Sequence, residues 1–276
     1  MIAPSPRPQP SQTTPDLAPV IEARALGHVY HGRDSGLVTA IEQIDLQVRP
    51  GDLVAFLGPS GCGKSTLLRI LSGLIQPTHG VVTLAGSPPS EARATRGIGW
   101  LAQDDGLLPW LNVADNVGLP GRVGRRRSAV KPAAVTEILA QVGLADSARR
   151  YPHELSGGMR QRAALARALV AQPEVLFLDE PFASLDELTR ERLGDLLLEV
   201  RATCRPTTLL VTHSVVEAVR LADRVLVFSP RPARILADIQ VSLEHPRQFL
   251  RPGFGQLVQT LKDALSRDHA GVNGCG

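Results

Sequence analysis

No stretch of this 276-residue chain strings together the roughly 18 apolar residues that a membrane-crossing helix needs. Contact with a membrane is therefore expected to run through partners. No basic segment followed by an apolar one marks the N-terminus as a secretory signal. Cysteine is scarce: Cys62, Cys204 and Cys275 form neither a disulfide framework nor a metal-ligand spacing, which points to a reducing cytoplasm. Excess charge is missing as well. A net charge of +3 makes no electrostatic case for nucleic acid as a partner, and the one dense basic run, Arg125-Arg126-Arg127, reads as a solvated loop. Internal repeats are absent.

What is present is a core-forming composition, 43% apolar, which suits one main α/β domain. Within it lies Gly58-Pro59-Ser60-Gly61-Cys62-Gly63-Lys64-Ser65-Thr66, which follows the apolar run Leu53 to Leu57 and opens a helix over Lys64 to Leu74. The spacing G-x-x-x-x-G-K-[ST] between strand and helix is that of a loop that wraps nucleotide phosphates. Backbone N–H groups from Ser60 to Lys64 converge on a helix N-terminus, where the dipole favours anions. Glycines 61 and 63 allow positive φ and close approach, Cys62 is small enough to fit, Lys64 is placed to bridge the β- and γ-phosphates, and the Ser65 hydroxyl to ligate Mg²⁺.

A second anion site is written at Leu155-Ser156-Gly157-Gly158-Met159-Arg160-Gln161-Arg162. Ser156 is a good N-cap for the alanine- and leucine-rich helix that follows. Gly157 and Gly158 would each cost about 1 kcal/mol in a first helical turn relative to alanine, so a cap alone does not explain them. Further on, Val175-Leu176-Phe177-Leu178-Asp179-Glu180-Pro181 reads as a strand buried on both faces and ending in two acids. Ligand chemistry in open parallel sheets sits at the strands' carboxyl ends. That places Asp179 to hold Mg²⁺ and Glu180 to accept a proton from the attacking water. Thr207 to Thr212 form another such strand; Ser214-Val215-Val216-Glu217 matches a capping box, which leaves His213 on the loop at the strand's carboxyl edge.

With these residues in place, the chain resembles an ATP-binding-cassette (ABC) ATPase from about Val20 to about Arg247, and Leu155 to Gln161 resembles that family's signature. The resemblance implies a P-loop NTPase with a mostly parallel core sheet, an N-terminal antiparallel β-subdomain and an inserted helical subdomain, using ATP and Mg²⁺. It implies that Tyr30 stacks on adenine, that Gln103 senses Mg²⁺, water and the transport domain, that Asp186 lies in a dimer-contact loop, and that His213 orients γ-phosphate and water. It also implies a head-to-tail homodimer whose sites are closed in trans by Ser156, Gly157, Gly158 and Gln161. Two transmembrane permease subunits and a periplasmic or lipid-anchored solute-binding protein complete the expected assembly, on the cytoplasmic face of the inner membrane.

Organisation follows suit. Residues 1–19 hold six prolines and are expected to be a disordered tail, 20–247 the ATPase domain with helices over about 104–172, and 248–276 a C-terminal extension. Pro132 and Gly143 bracket one helix whose Val135, Ile138, Leu139 and Val142 share a face. Leu107, Leu108, Pro109, Trp110 and Leu111 are expected to form an exposed apolar knob for a membrane partner. The stretch Leu108 to Val117, with Val227 to Ile235, resembles the nitrate/sulfonate/taurine importer subgroup, which carries small, often anionic nutrients. An export-type cassette is the alternative that 107–117 disfavours. A soluble cassette acting on DNA or ribosomes would need a long coiled coil or a second cassette, and neither is present.

Overall fold

The computed structural model describes residues 18–32, 36–95, 97–123 and 130–266. The Arg125–Arg127 run, Cys275 and nearly all of the proline-rich tail lie outside these residues.

Two sheets organise the described residues. In the smaller, β1 (Ile21–Gly32) pairs antiparallel with β2 (Gly36–Val48) on one side and β4 (His79–Leu84) on the other. The larger takes β3 (Leu53–Leu57), β5 (Ile98–Leu101), β6 (Val175–Asp179), β7 (Thr207–Thr212), β8 (Arg224–Phe228) and β9 (Ile235–Gln240), in the order β5-β6-β7-β3-β8-β9. All neighbours are parallel except β8 and β9. Both β3 and β6 are buried along their whole length, as their unbroken apolar runs require. Pleating divides β3 between two cores: Leu53, Ala55 and Leu57 enter one, Val54 and Phe56 the other.

Helix α1 (Lys64–Leu71) follows β3, and α2 (Pro89–Thr95) precedes β5. The expected helical stretch contains α3 (Val113–Val117), α4 (Leu119–Val123), α5 (Pro132–Gln141) and α6 (Gly157–Leu169). In α5, Pro132 sits in the first turn and Gly143 just beyond the end takes φ +67°, the helix-stopping conformation. After β6 come α7 (Glu187–Cys204), α8 (Val215–Leu221) and α9 (Phe254–Ser266).

Within the expected C-terminal extension, the described residues 248–266 are partly built into the core. In α9, Phe254, Leu261 and Ala264 are buried in the same core as β3, and the helix packs on α8, β8 and β9. Arg247 itself is buried and donates to the carbonyls of Leu243, Val219, Ala222 and Val241. The core therefore runs on through α9.

Candidate functional site

The phosphate loop hangs between β3 and α1. Its glycines answer to geometry: Gly61 takes φ +74°, and two others meet close neighbours. At Gly63, φ is +125° and a Cβ would sit 2.5 Å from the Ala40 carbonyl oxygen. At Gly58, a Cβ would meet the Phe228 carbonyl oxygen at 3.0 Å. Pro59 and Ser60 lie exposed on the turn, and Cys62 is buried beneath it. Lys64 is buried inside the loop and its Nζ donates to Gly58 O at 2.8 Å and Pro59 O at 2.7 Å. Tyr30, 39% exposed, shares a 3.2 Å hydrogen bond between its hydroxyl and Thr66 Oγ1, with its ring edge-on to His28. A partly exposed aromatic ring thus stands beside the first turn of α1.

Ser65 Oγ donates to Asp179 Oδ1 at 2.8 Å, joining the loop to the end of β6. Asp179 is fully buried; burial pushes its carboxyl above the ordinary carboxylate range, against the pull of the Ser65 hydrogen bond. Its Oδ2 is buried with no hydrogen-bond partner, a costly arrangement that a cation would relieve. Among the described residues no group of three His, Cys, Asp or Glu side chains could hold a metal. A cation here would rest on the Ser65 hydroxyl and the Asp179 carboxylate, with phosphate and water oxygens completing the shell. That hard, sparse oxygen set fits Mg²⁺ and does not fit zinc. Gln103 is exposed two residues past β5, which pairs with β6 through Leu101 and Leu178, so it leaves the sheet on the same edge.

Glu180 takes φ +50°, unusual for a residue with a side chain, and its N–H donates to Val211 O. This turn aims the half-buried carboxylate along the sheet edge, where Oε2 lies 3.3 Å from His213 Nδ1. His213 is more than half exposed. The capping box expected at 214–217 forms only in part. Ser214 Oγ accepts from Glu217 N, but the Glu217 carboxylate accepts from Thr212 Oγ1 at 2.6 Å, and Thr212 Oγ1 accepts from Ser214 N in its place. Burial raises the Glu217 pKa. Glu217 also forms an ion pair with Arg190 at 3.4 Å, while Arg190 donates to Glu187 and to Leu185 O. A chain of polar contacts thus ties the His213 loop to the turn before Asp186. Sequence reading missed Arg190, and it used Glu217 only as a cap. A cavity of about 270 Å³ opens between Glu180, Thr212, His213 and Glu217.

At the start of α6, Ser156 Oγ accepts from Met159 N, and Ser156 and Gly157 are exposed. A Cβ on Gly158 would touch Leu185 and Ser184, so the signature turn abuts the Asp186 turn of its own chain. Asp186 caps α7 by accepting from Thr189 N, and hydrogen bonds from Thr189 hold its carboxyl below the usual range. Gln161 departs from an outward, in-trans role: it is buried and donates to Pro181 O of its own chain at 3.2 Å. The turn after Gln103 is fastened to α6, with Arg160 Nε donating to Asp105 Oδ2 and Arg167 to the carbonyls of Asp105 and Gly106. In the apolar knob, Trp110 is 69% exposed and Pro109 exposed, but Leu107 is buried and Leu108 and Leu111 are half-buried. Buried Asn116 accepts from Leu108 N and donates to Leu108 O, Leu111 O and Asn112 O, which pins the turn presenting Trp110.

A phosphate loop on a central parallel strand, with two acids and a histidine on the adjoining strand ends, defines a nucleoside triphosphatase of the cassette type. Residues 41–183 match the ABC transporter family. The chain is 44% identical over 252 residues, covering 91% of it and 89% of the relative, to the aliphatic sulfonates import ATP-binding protein SsuB 2 of Burkholderia cenocepacia (strain HI2424). It is 49% identical over 222 residues to SsuB 1 of Rhodococcus jostii (strain RHA1), covering 80% of this chain and 83% of that one. It is 44% identical over 240 residues to the taurine import ATP-binding protein TauB of Burkholderia pseudomallei (strain 1710b), covering 87% and 89%. A dimeric post-hydrolysis structure of the ATP-binding cassette MJ0796 bound to ADP and Pi superposes with a TM-score of 0.74 at 28% identity, covering 81% of this chain and all of that one. The chain belongs to the ABC transporter family, and it is an ATP-binding ATPase of that family.

Proposed function

We propose that this chain powers an importer for a small sulfonate-type anion, with ATP hydrolysed between two copies of the chain. The observation that carries the chemistry is the juxtaposition of Glu180 and His213 at 3.3 Å on the edge where Ser65 and Asp179 meet. Glu180 takes a proton from water as the water oxygen attacks the γ-phosphorus; the bond from that phosphorus to the bridging oxygen breaks, leaving ADP and inorganic phosphate. His213 orients the γ-phosphate and the water. Lys64 exchanges its carbonyl partners for phosphate oxygens, and Tyr30 offers its ring to adenine. Ser65 and Asp179, with Gln103 past the end of the neighbouring strand, would hold Mg²⁺, which would supply positive charge against the phosphates.

The exposed Ser156-Gly157 turn suits a γ-phosphate held by a second copy, in a two-fold head-to-tail pair. Asp186, beside that turn, sits where the pair would meet. Trp110 projects toward a permease subunit, on the cytoplasmic face of the membrane, and a solute-binding protein delivers the anion from the other side. The names of the sulfonate and taurine relatives support this choice of solute. Deleting the gene should abolish growth on an alkanesulfonate or taurine as sole sulfur source, with rescue by the wild-type chain and not by Glu180→Gln. Unimpaired growth and uptake in the deletion strain would overturn the assignment.

A further inference from the structure

We propose that Arg231 is a positioning residue for nucleotide binding, a clamp that holds the phosphate loop from outside so that its amides face the phosphates. The proposal rests on the loop's role in binding ATP and adds a residue from a distant turn, between β8 and β9. Glycine has more backbone freedom to lose than any other residue, so a loop with glycines at 58, 61 and 63 needs external contacts to stay ordered. Two of these points are fixed from within the fold. Gly58 lies against Phe228, and Gly63 is wedged between Ala40 and Ala233. Gly61, at the exposed tip, is different: a Cβ there would meet nothing within 4 Å. What ties this tip down is a 2.8 Å hydrogen bond from Arg231 Nη2 to Gly61 O.

That bond has a directional consequence. Across a trans peptide the carbonyl and the following N–H point in opposite directions, so drawing Gly61 O outward turns the Cys62 N–H inward. It does turn into the loop, where it donates to Pro59 O at 3.4 Å. Inside the loop, Lys64 engages Gly58 O and Pro59 O. An arriving phosphate would draw Lys64 from Gly58 O and Pro59 O and compete with Pro59 O for the Cys62 N–H, while Arg231 keeps Gly61 O turned outward. The arm that carries Arg231 is itself anchored. Ala233 N donates to Ala40 O and Glu42 N to Ala233 O, Arg234 pairs with Glu42 at 2.7 Å, and Ser229 Oγ accepts from Arg234 N. Arg231 is therefore presented from a braced turn, and preorganisation of this kind strengthens binding by reducing the ordering cost.

Titration of the purified full-length chain with fluorescent ATP and ADP analogues tests the clamp. Arg231→Ala should weaken both nucleotides by about 3- to 10-fold, the size of a typical net hydrogen bond, since exposure screens the charge on this donor. In steady-state ATPase assays the loss should appear in KM with kcat nearly unchanged. Arg231→Lys, which keeps a charged donor, should recover most of the affinity. Because the clamp acts on the loop, ATP and ADP should suffer alike; a loss confined to ATP would mean direct contact with the γ-phosphate and would overturn the proposal, as would wild-type affinity in Arg231→Ala or a Lys variant as weak as Ala. Lys64→Ala serves as the control. If it too binds like wild type, the phosphate-loop reading fails, and not merely the clamp.

Discussion

Glu180 holds a conformation that costs most residues about 1–3 kcal/mol, and it does so at the point where its carboxylate meets His213. Glu180→Gln keeps the size and the backbone strain but removes the base, so turnover should fall about 10²- to 10⁴-fold with ATP binding retained. Isotopic phosphate release beside nucleotide titration measures both, and near-normal hydrolysis would remove Glu180 from the base role. Glu217 makes a different prediction. Burial raises its pKa above the ordinary 4.5, opposed by Thr212, Arg190 and His213, with Glu180 adding to the rise. The folded chain thus keeps this proton where the unfolded chain has lost it. The stability it contributes is present below about pH 4.5 and is lost as pH rises through the folded value. Glu217→Gln should therefore gain on wild type in melting temperature as pH climbs from about 4 to about 7, in thermal scans without nucleotide. At this scale the sequence singled out residues by their spacing, such as Lys64 and Asp179, and the fold joins their loop and strand end through Ser65. The sequence hid the roles of Arg190 and Arg231, because an isolated arginine carries no periodic signal and the partners that matter, Glu217 and Gly61, are distant in the chain, although Arg190 also holds nearby Glu187 and Leu185 O.

Among elements, strands buried on both faces were legible as unbroken apolar runs, and α5 was legible from its face and its stop. Two of the edge strands, β4 and β9, were not. Each has one solvated side and only alternating burial, and each pairs with a strand distant in sequence or follows a turn that masks its start. Helix α9 carried an adequate signal in the spacing of Phe254, Leu257, Val258 and Leu261, but its docking surface is made by α8, β8 and β9, which no local pattern reveals. The knob at 107–111 divides the same way. Its leucines turn inward because Asn116 fixes the turn, and Trp110 is left outside. Trp110→Ala should spare the basal ATPase of the isolated chain and weaken co-purification with the permease, since an aromatic anchor at the centre of an interface is worth about 2 kcal/mol or more. An insoluble variant, or undiminished co-purification, would count against that role.

For the molecule as a whole, the decisive question is whether a site belongs to one chain or to two. Lys64→Ala should lose nucleotide at its own loop, and Ser156→Arg should place bulk where a partner's γ-phosphate would lie; each homodimer should be inactive. In a mixed dimer one site carries both defects and the other carries neither, so part of the activity should return, read by ATPase assay alongside ATP-dependent dimerisation. Normal hydrolysis by the Ser156→Arg homodimer would sink the shared-site arrangement.

Strand β3 sends alternate side chains into two cores, and the phosphate loop is its direct continuation. Neither core can loosen without releasing the strand from which that loop hangs. Nucleotide bound at the loop therefore stabilises both faces of the chain together, by mass action on the folded state. In a cell this would reach beyond transport rate: nucleotide-loaded chains should open less often and resist proteases better than chains without nucleotide. Energy supply would then set how long each copy survives, as well as how fast it works.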